Sequence, residues 1–85
     1  MRRSIDDAQL LAADLPPSDD ELEPVSWAVA ICDDYDDAEC RVLLTVEAVV
    51  AAGTGLAAHL SPEHARRLRG ALHDALRELG EDPGR

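Results

Sequence analysis

Between Val25 and Ile31 the large apolar residues fall on every second position. Val25, Trp27, Val29 and Ile31 share one side and Ser26, Ala28 and Ala30 the other, which is the period of a half-buried strand. The polar stretch CDDYDDAE, Cys32 to Glu39, breaks that alternation and reads as a turn. A second alternation follows, with Cys40, Val42, Leu44, Val46 and Ala48 opposite Arg41, Leu43, Thr45, Glu47 and Val49, so the two runs form a hairpin. Gly53-Thr54-Gly55 marks another turn, after which Leu56, Ala58 and Leu60 alternate with Ala57 and His59 as a third strand. Residues 45–52, TVEAVVAA, also suit a helix by propensity, which makes this the least secure part of the sheet.

The period then changes from two to three and four. Ala65, Leu68, Leu72, Ala75, Leu76 and Leu79 line one side of a helix, and its ends are marked by residues with separate physical jobs. Ser61 offers an oxygen to the free amides of the first turn, Pro62 has no amide to waste, and Glu63 sits at the positive end of the dipole. Gly80 supplies the left-handed residue that stops the helix. An apolar stripe of this length needs a covering surface.

Residues 1–24 read differently. Ser4 with Asp7, and Ile5, Ala8, Leu11 and Ala12 on one side, fit a short helix over residues 5–14. Pro16 and Pro17 end it, and SDDELEP, Ser18 to Pro24, joins like charges to a proline with little apolar surface to bury. The expectation is a mobile acidic arm over 1–24 and one small domain over 25–85. The fold class is α+β: a three-stranded antiparallel β-meander, with strands at about 25–31, 40–49 and 55–60, then one long C-terminal amphipathic helix at about 62–79 laid across one sheet face. This order resembles double-stranded-RNA-binding domains in outline. Their second helix opens with basic residues that grip phosphates, whereas this one opens with Pro62 and Glu63, so that function is not carried over.

Size and charge narrow the partners. A chain of 85 residues has a thin core, and oligomerisation commonly supplies the missing burial, so a homodimer is expected. The net charge of −10 divides as −5 over residues 1–24, −5 over 25–60 and zero over 61–85. Such a field repels phosphates, so direct nucleic-acid binding is not expected. No long apolar run follows Arg2 and Arg3, so neither a secretory signal nor a membrane span is expected, and the chain is read as cytoplasmic with Cys32 and Cys40 as free thiols.

Candidate chemistry is sparse. The loop acids Asp33, Asp34, Asp36, Asp37 and Glu39 lack the one-apart spacing, central glycine and distal glutamate of a helix-flanked calcium loop. Cys32 and Cys40, even with His59 or His64, lack the C-x-x-C spacing of a zinc site, and no nucleophile accompanies the histidines. No cofactor, metal site or catalytic residue is expected. On the helix, Arg66, Arg69, His73 and Arg77 form a basic ridge beside the apolar stripe, able to dock an anionic partner or to be masked by the chain's own acidic arm. Gly70, inside the helix, fits either a close backbone crossing or a tolerated surface glycine.

Together these features point to a non-catalytic interaction or regulatory module. Its acids Asp19, Asp20, Glu21 and Glu23 in the arm and Asp33, Asp34, Asp36 and Asp37 in the loop would contact a basic protein partner. The alternative is a nucleic-acid mimic, an antitoxin-like or phage-type inhibitor of a nucleic-acid-binding protein, and a remoter one is a metal-binding accessory protein.

Overall fold

A computed structural model describes all residues, Met1–Arg85. Four strands form one antiparallel sheet: β1 Arg2–Leu10, β2 Val25–Cys32, β3 Arg41–Ala48 and β4 Leu56–Leu60, in that spatial order, followed by helix α1 Pro62–Glu78. Two single turns of 3-10 helix, Ala12–Asp14 and Val49–Ala51, follow β1 and β3. The architecture is therefore α+β, and no helix is long and apolar enough to cross a membrane.

The three strands read from alternation all form. The doubtful stretch stays extended through Ala48 and turns only at Val49–Ala51. The short helix expected over residues 5–14 does not form. Arg2–Leu10 pairs instead with β2, from Arg2 opposite Cys32 to Leu10 opposite Val25, and makes the sheet four-stranded rather than three-stranded. A free edge of β2 would otherwise leave a row of backbone groups unpaired, and this non-local pairing outweighs the weak local preference of Ile5, Ala8 and Leu11 for a helix. A bulge between Ser4 and Asp6 leaves Ile5 without a partner. With a strand in first place, the outline shared with double-stranded-RNA-binding domains is also lost.

Paired residues of antiparallel strands point to the same side, so the register decides what each face carries. Val29 pairs with Leu44, which pairs with Ala58, and Trp27 pairs with Val46, which pairs with Leu56. All the large alternating residues of β2, β3 and β4 thus gather on one face. The opposite face carries Ala28, Ala30 and Cys32, then Leu43 and Thr45, then Ala57 and His59. It is this small-residue face that contains the buried core: Ala30, Cys32 and Leu43, at 6, 9 and 7% exposure, with Tyr35 packed against them.

The apolar face has no buried residue of its own: Trp27, Val29 and Leu44 are half-buried and Val46 is exposed. Leu56 is 84% exposed, and on α1 Leu72 and Leu79 are 60 and 75% exposed, so the helix stripe is not laid across the sheet. The radius of gyration, 15.1 Å, exceeds the ~12 Å of a compact chain of this length. The helix itself is well finished. The Ser61 oxygen accepts from the His64 amide at 3.1 Å. At the other end Gly80, with φ of 77°, and Glu81 donate to the carbonyls of Arg77 and Leu76 in a complete Schellman closure.

Two glycines should respond oppositely to alanine. A Cβ at Gly55 would lie 2.3 Å from the Glu47 Cβ and 2.3 Å from the Val46 carbonyl oxygen, so Gly55→Ala forces β4 away from β3 and should lower the midpoint of denaturant unfolding. A Cβ at Gly70 meets nothing within 4 Å, so Gly70→Ala should raise stability by about 0.5–1 kcal/mol in the same measurement.

Candidate functional site

The densest cluster of polar side chains lies where β2 turns into β3. Cys32 ends β2, Arg41 opens β3 directly opposite it, and His59 stands on β4 opposite Leu43, so the register brings all three to the small-residue face. Tyr35, from the turn, folds over them. Its ring meets that of His59 edge-on, with centroids 5.5 Å apart and planes at 85°, and its hydroxyl lies 2.8 Å from His59 Nδ1. Burial, and after it the neighbouring Cys32 thiol, raises the pKa of the Tyr35 phenol above its ordinary value.

Arg41 covers the other side of the same ring. Its guanidinium carbon is 4.7 Å from the Tyr35 centroid, while its two terminal nitrogens donate to the two carboxylate oxygens of Asp37 at 2.9 and 2.7 Å. The Arg41 guanidinium, with the Glu39 amide as a second donor, holds the Asp37 carboxyl well below the usual carboxylate range. The same hydrogen bond raises Arg41 in turn. This fork fixes a turn in which Ala38 takes a left-handed φ of 55°, a conformation that costs an L-residue about 1–2 kcal/mol.

Asp33 and Asp34 are engaged as well. The Met1 ammonium donates to Asp33 at 2.5 Å and to Asp34 at 2.7 Å, and the Asp33 amide donates to the Met1 carbonyl at 3.2 Å. Donating to Asp33 and then to Asp34 pushes the Met1 amino group up to about 10, and the ammonium lowers Asp33. Of the four loop aspartates, only Asp36 has neither an ion pair nor a side-chain hydrogen bond.

The other acids read from the sequence lie elsewhere. Asp19, Asp20, Glu21 and Glu23 are exposed on the connection between β1 and β2 and take part in no ion pair. The basic ridge is likewise apart from them: His73 lies 3.4 Å from its neighbour Asp74, and Arg69 donates to the Arg85 carbonyl. No ion pair joins Asp19, Asp20, Glu21 or Glu23 to Arg66, Arg69, His73 or Arg77, so the ridge is not masked by these acids. Cys32 is buried and Cys40 exposed, both as free thiols, and no group of three or more His, Cys, Asp or Glu is placed to hold a metal ion.

A second feature involves the acidic connection. Glu21, Leu22, Glu23, Pro24 and Val50 line an open groove of about 410 Å³, and the Val49 amide donates to the Pro24 carbonyl at 3.1 Å, tying the connection to the turn after β3. Neither Val50 nor the Tyr35–His59–Arg41 set was singled out as a site from sequence. The alternation did place Arg41 and His59 on the face away from the large apolar residues, but the residues they meet depend on the register. No protein-family profile, characterised protein or solved structure matches this chain.

The ion pairs define a pH window. Met1, raised, contributes stability that is complete below its ordinary value near ~8 and disappears as pH rises through about 10. Asp37, lowered, contributes stability that is complete above ~4 and disappears as pH falls below that range. An NMR titration should show the Met1 amino group still charged at pH ~9 and returned toward ~8 by Asp33→Asn with Asp34→Asn. An unshifted amino group in the unsubstituted protein would mean that the clamp does not form in solution.

Proposed function

We propose that this chain is a non-catalytic protein-interaction module whose acidic connection, Ser18 to Pro24, receives a basic segment of a partner protein. The observation that carries this reading is the groove beside Val50. Glu21 and Glu23 line it together with Leu22, Pro24 and Val50, and their carboxylates have no cation of the chain's own. A lysine or arginine side chain fits such a surface in two ways, laying its aliphatic stem on the apolar lining while its charged head meets the carboxylates. Asp19 and Asp20 extend the negative field along the approach and favour fast, salt-sensitive encounter.

The hairpin cluster supports the same division of labour. Its phenol, imidazole, guanidinium and carboxylate bond one another, which suits a brace for the turn better than a reaction centre. Of the loop acids, Asp36 keeps its charge free for a partner, whereas Asp33, Asp34 and Asp37 would have to release Met1 and Arg41 first. Two free thiols agree with a cytoplasmic setting for the module.

Affinity capture from the native host at low salt, with mass spectrometry, should recover a basic protein whose retention falls as salt is raised. A chain carrying Asp19→Asn, Asp20→Asn, Glu21→Gln and Glu23→Gln should lose that protein at least tenfold. Equal capture by the substituted chain would remove the acidic connection from recognition. Displacement of the captured protein by DNA or RNA would instead identify the chain as a nucleic-acid mimic.

A further inference from the structure

Two apolar surfaces of this chain are unfinished, and each is what the other lacks. One is the sheet face, where half-buried Trp27, Val29 and Leu44 lie beside exposed Val46 and Leu56; the second is the α1 stripe running through Leu68, Leu72, Leu76 and Leu79. A sheet face of this kind is ordinarily covered by an amphipathic helix, and such a helix ordinarily lies on a sheet. Here they belong to one chain and meet only where α1 touches β3 and β4, leaving Leu72 and Leu79 at 60 and 75% exposure.

The junction explains why. Ser61 alone separates Leu60, the end of β4, from Pro62, the start of α1. Proline fixes its own φ and holds the preceding residue extended, and Ser61 has φ of −61° and ψ of 162°. Its oxygen is then occupied by the His64 amide. Connections between a strand and a helix that packs back on it usually need ~2–6 residues. This link has one, in a fixed conformation, so α1 is carried off the end of β4 instead of back across its own sheet.

The area left open is of a definite size. A compact monomer of 9.2 kDa exposes about 4900 Å², whereas this chain exposes 6885 Å². Part of the excess belongs to the connection from Leu11 to Pro24. Even half of the roughly 2000 Å² excess amounts to ~2000 Å² for a pair, at the lower end of the range buried by obligate homodimers. Charge points to the same occupant: α1 presents Arg66, Arg69, His73 and Arg77 beside its stripe, while residues 1–60 carry the whole net charge of −10. A second copy therefore brings a cationic helix flank to an acidic sheet domain.

We propose that two copies of this chain form a symmetric dimer in which α1 of each lies across the apolar sheet face of the other. One contact, used twice, covers both surfaces, as a two-fold axis requires. The interface is distinct from the acidic groove at Val50, so either proposal can fail without the other.

Light scattering on the full chain should report about twice 9.2 kDa at micromolar concentration. A mass of one chain up to the millimolar range overturns the dimer. The arrangement is read from a mixing experiment. Leu72→Glu on the stripe and Val46→Lys on the sheet face should each weaken self-association at least tenfold, because both helix–sheet contacts of each homodimer are then damaged. Mixing the two should restore a dimer, with one helix–sheet contact intact and the other pairing Glu with Lys. Variants that stay folded by circular dichroism and remain monomeric when mixed exclude the exchange. If either variant unfolds, the unsubstituted chain carries the test by dilution. Trp27 emission should shift red over the concentrations at which the mass halves, and a mass change with no Trp27 response removes the sheet face from the interface.

Discussion

The register of β2 against its two neighbours organises this molecule. Each of its residues from Val25 to Cys32 has a partner in β3, and the same stretch pairs with β1 across a single bulge. Because the side-chain period of a strand is two, a slip by one residue would send Trp27 and Val29 to the Tyr35 side and Ala30 and Cys32 to the other. The seat for the Tyr35 ring is made by Ala30, Cys32 and Leu43, two of them small where Val29 and Ile31 on the other face are large. The sheet thus has a finished face at the hairpin end and an unfinished one behind it.

What could be read from the chain depended on whether the cause was local. β2, β3 and β4 follow from alternation within each run, and α1 from its 3.6-residue stripe and from Ser61, Pro62 and Gly80, all within reach of the backbone they cap. β1 was hidden because RRSIDDAQL contains both periods: Ile5 and Ala8 fit a helix, while Asp6, Ala8 and Leu10 alternate once Ile5 is placed in a bulge. Its strand state comes from β2, more than ten residues away, and from the grip of Asp33 and Asp34 on Met1. The contact of Tyr35 with His59 spans 24 residues and needs three strands in register, so no local pattern announces it. The placement of α1 departs from the expectation of a helix laid across one sheet face, because a stripe states the need for cover and the one-residue link at Ser61 decides the direction.

Charge density on the chain conceals two populations. Asp33, Asp34 and Asp37 sit among cations of the fold and brace the hairpin. Asp19, Asp20, Glu21 and Glu23 have no such neighbours and project from a connection tied down at Pro24. The distinction follows from where the few cations lie. Arg2, Arg3 and Arg41 are the only arginines before Ser61, and Arg41 is already committed to Asp37.

The two borders of the sheet are chemically unequal. β1 is lined with Arg2, Arg3, Asp6 and Asp7 and interrupted by its bulge, features that discourage an incoming strand. β4 reads LAAHL, with no fixed charge and no proline, and its backbone groups away from β3 have no strand beside them. Growth of the sheet by strand addition is therefore directional: a further strand meets electrostatic resistance at one margin and an open ladder at the other.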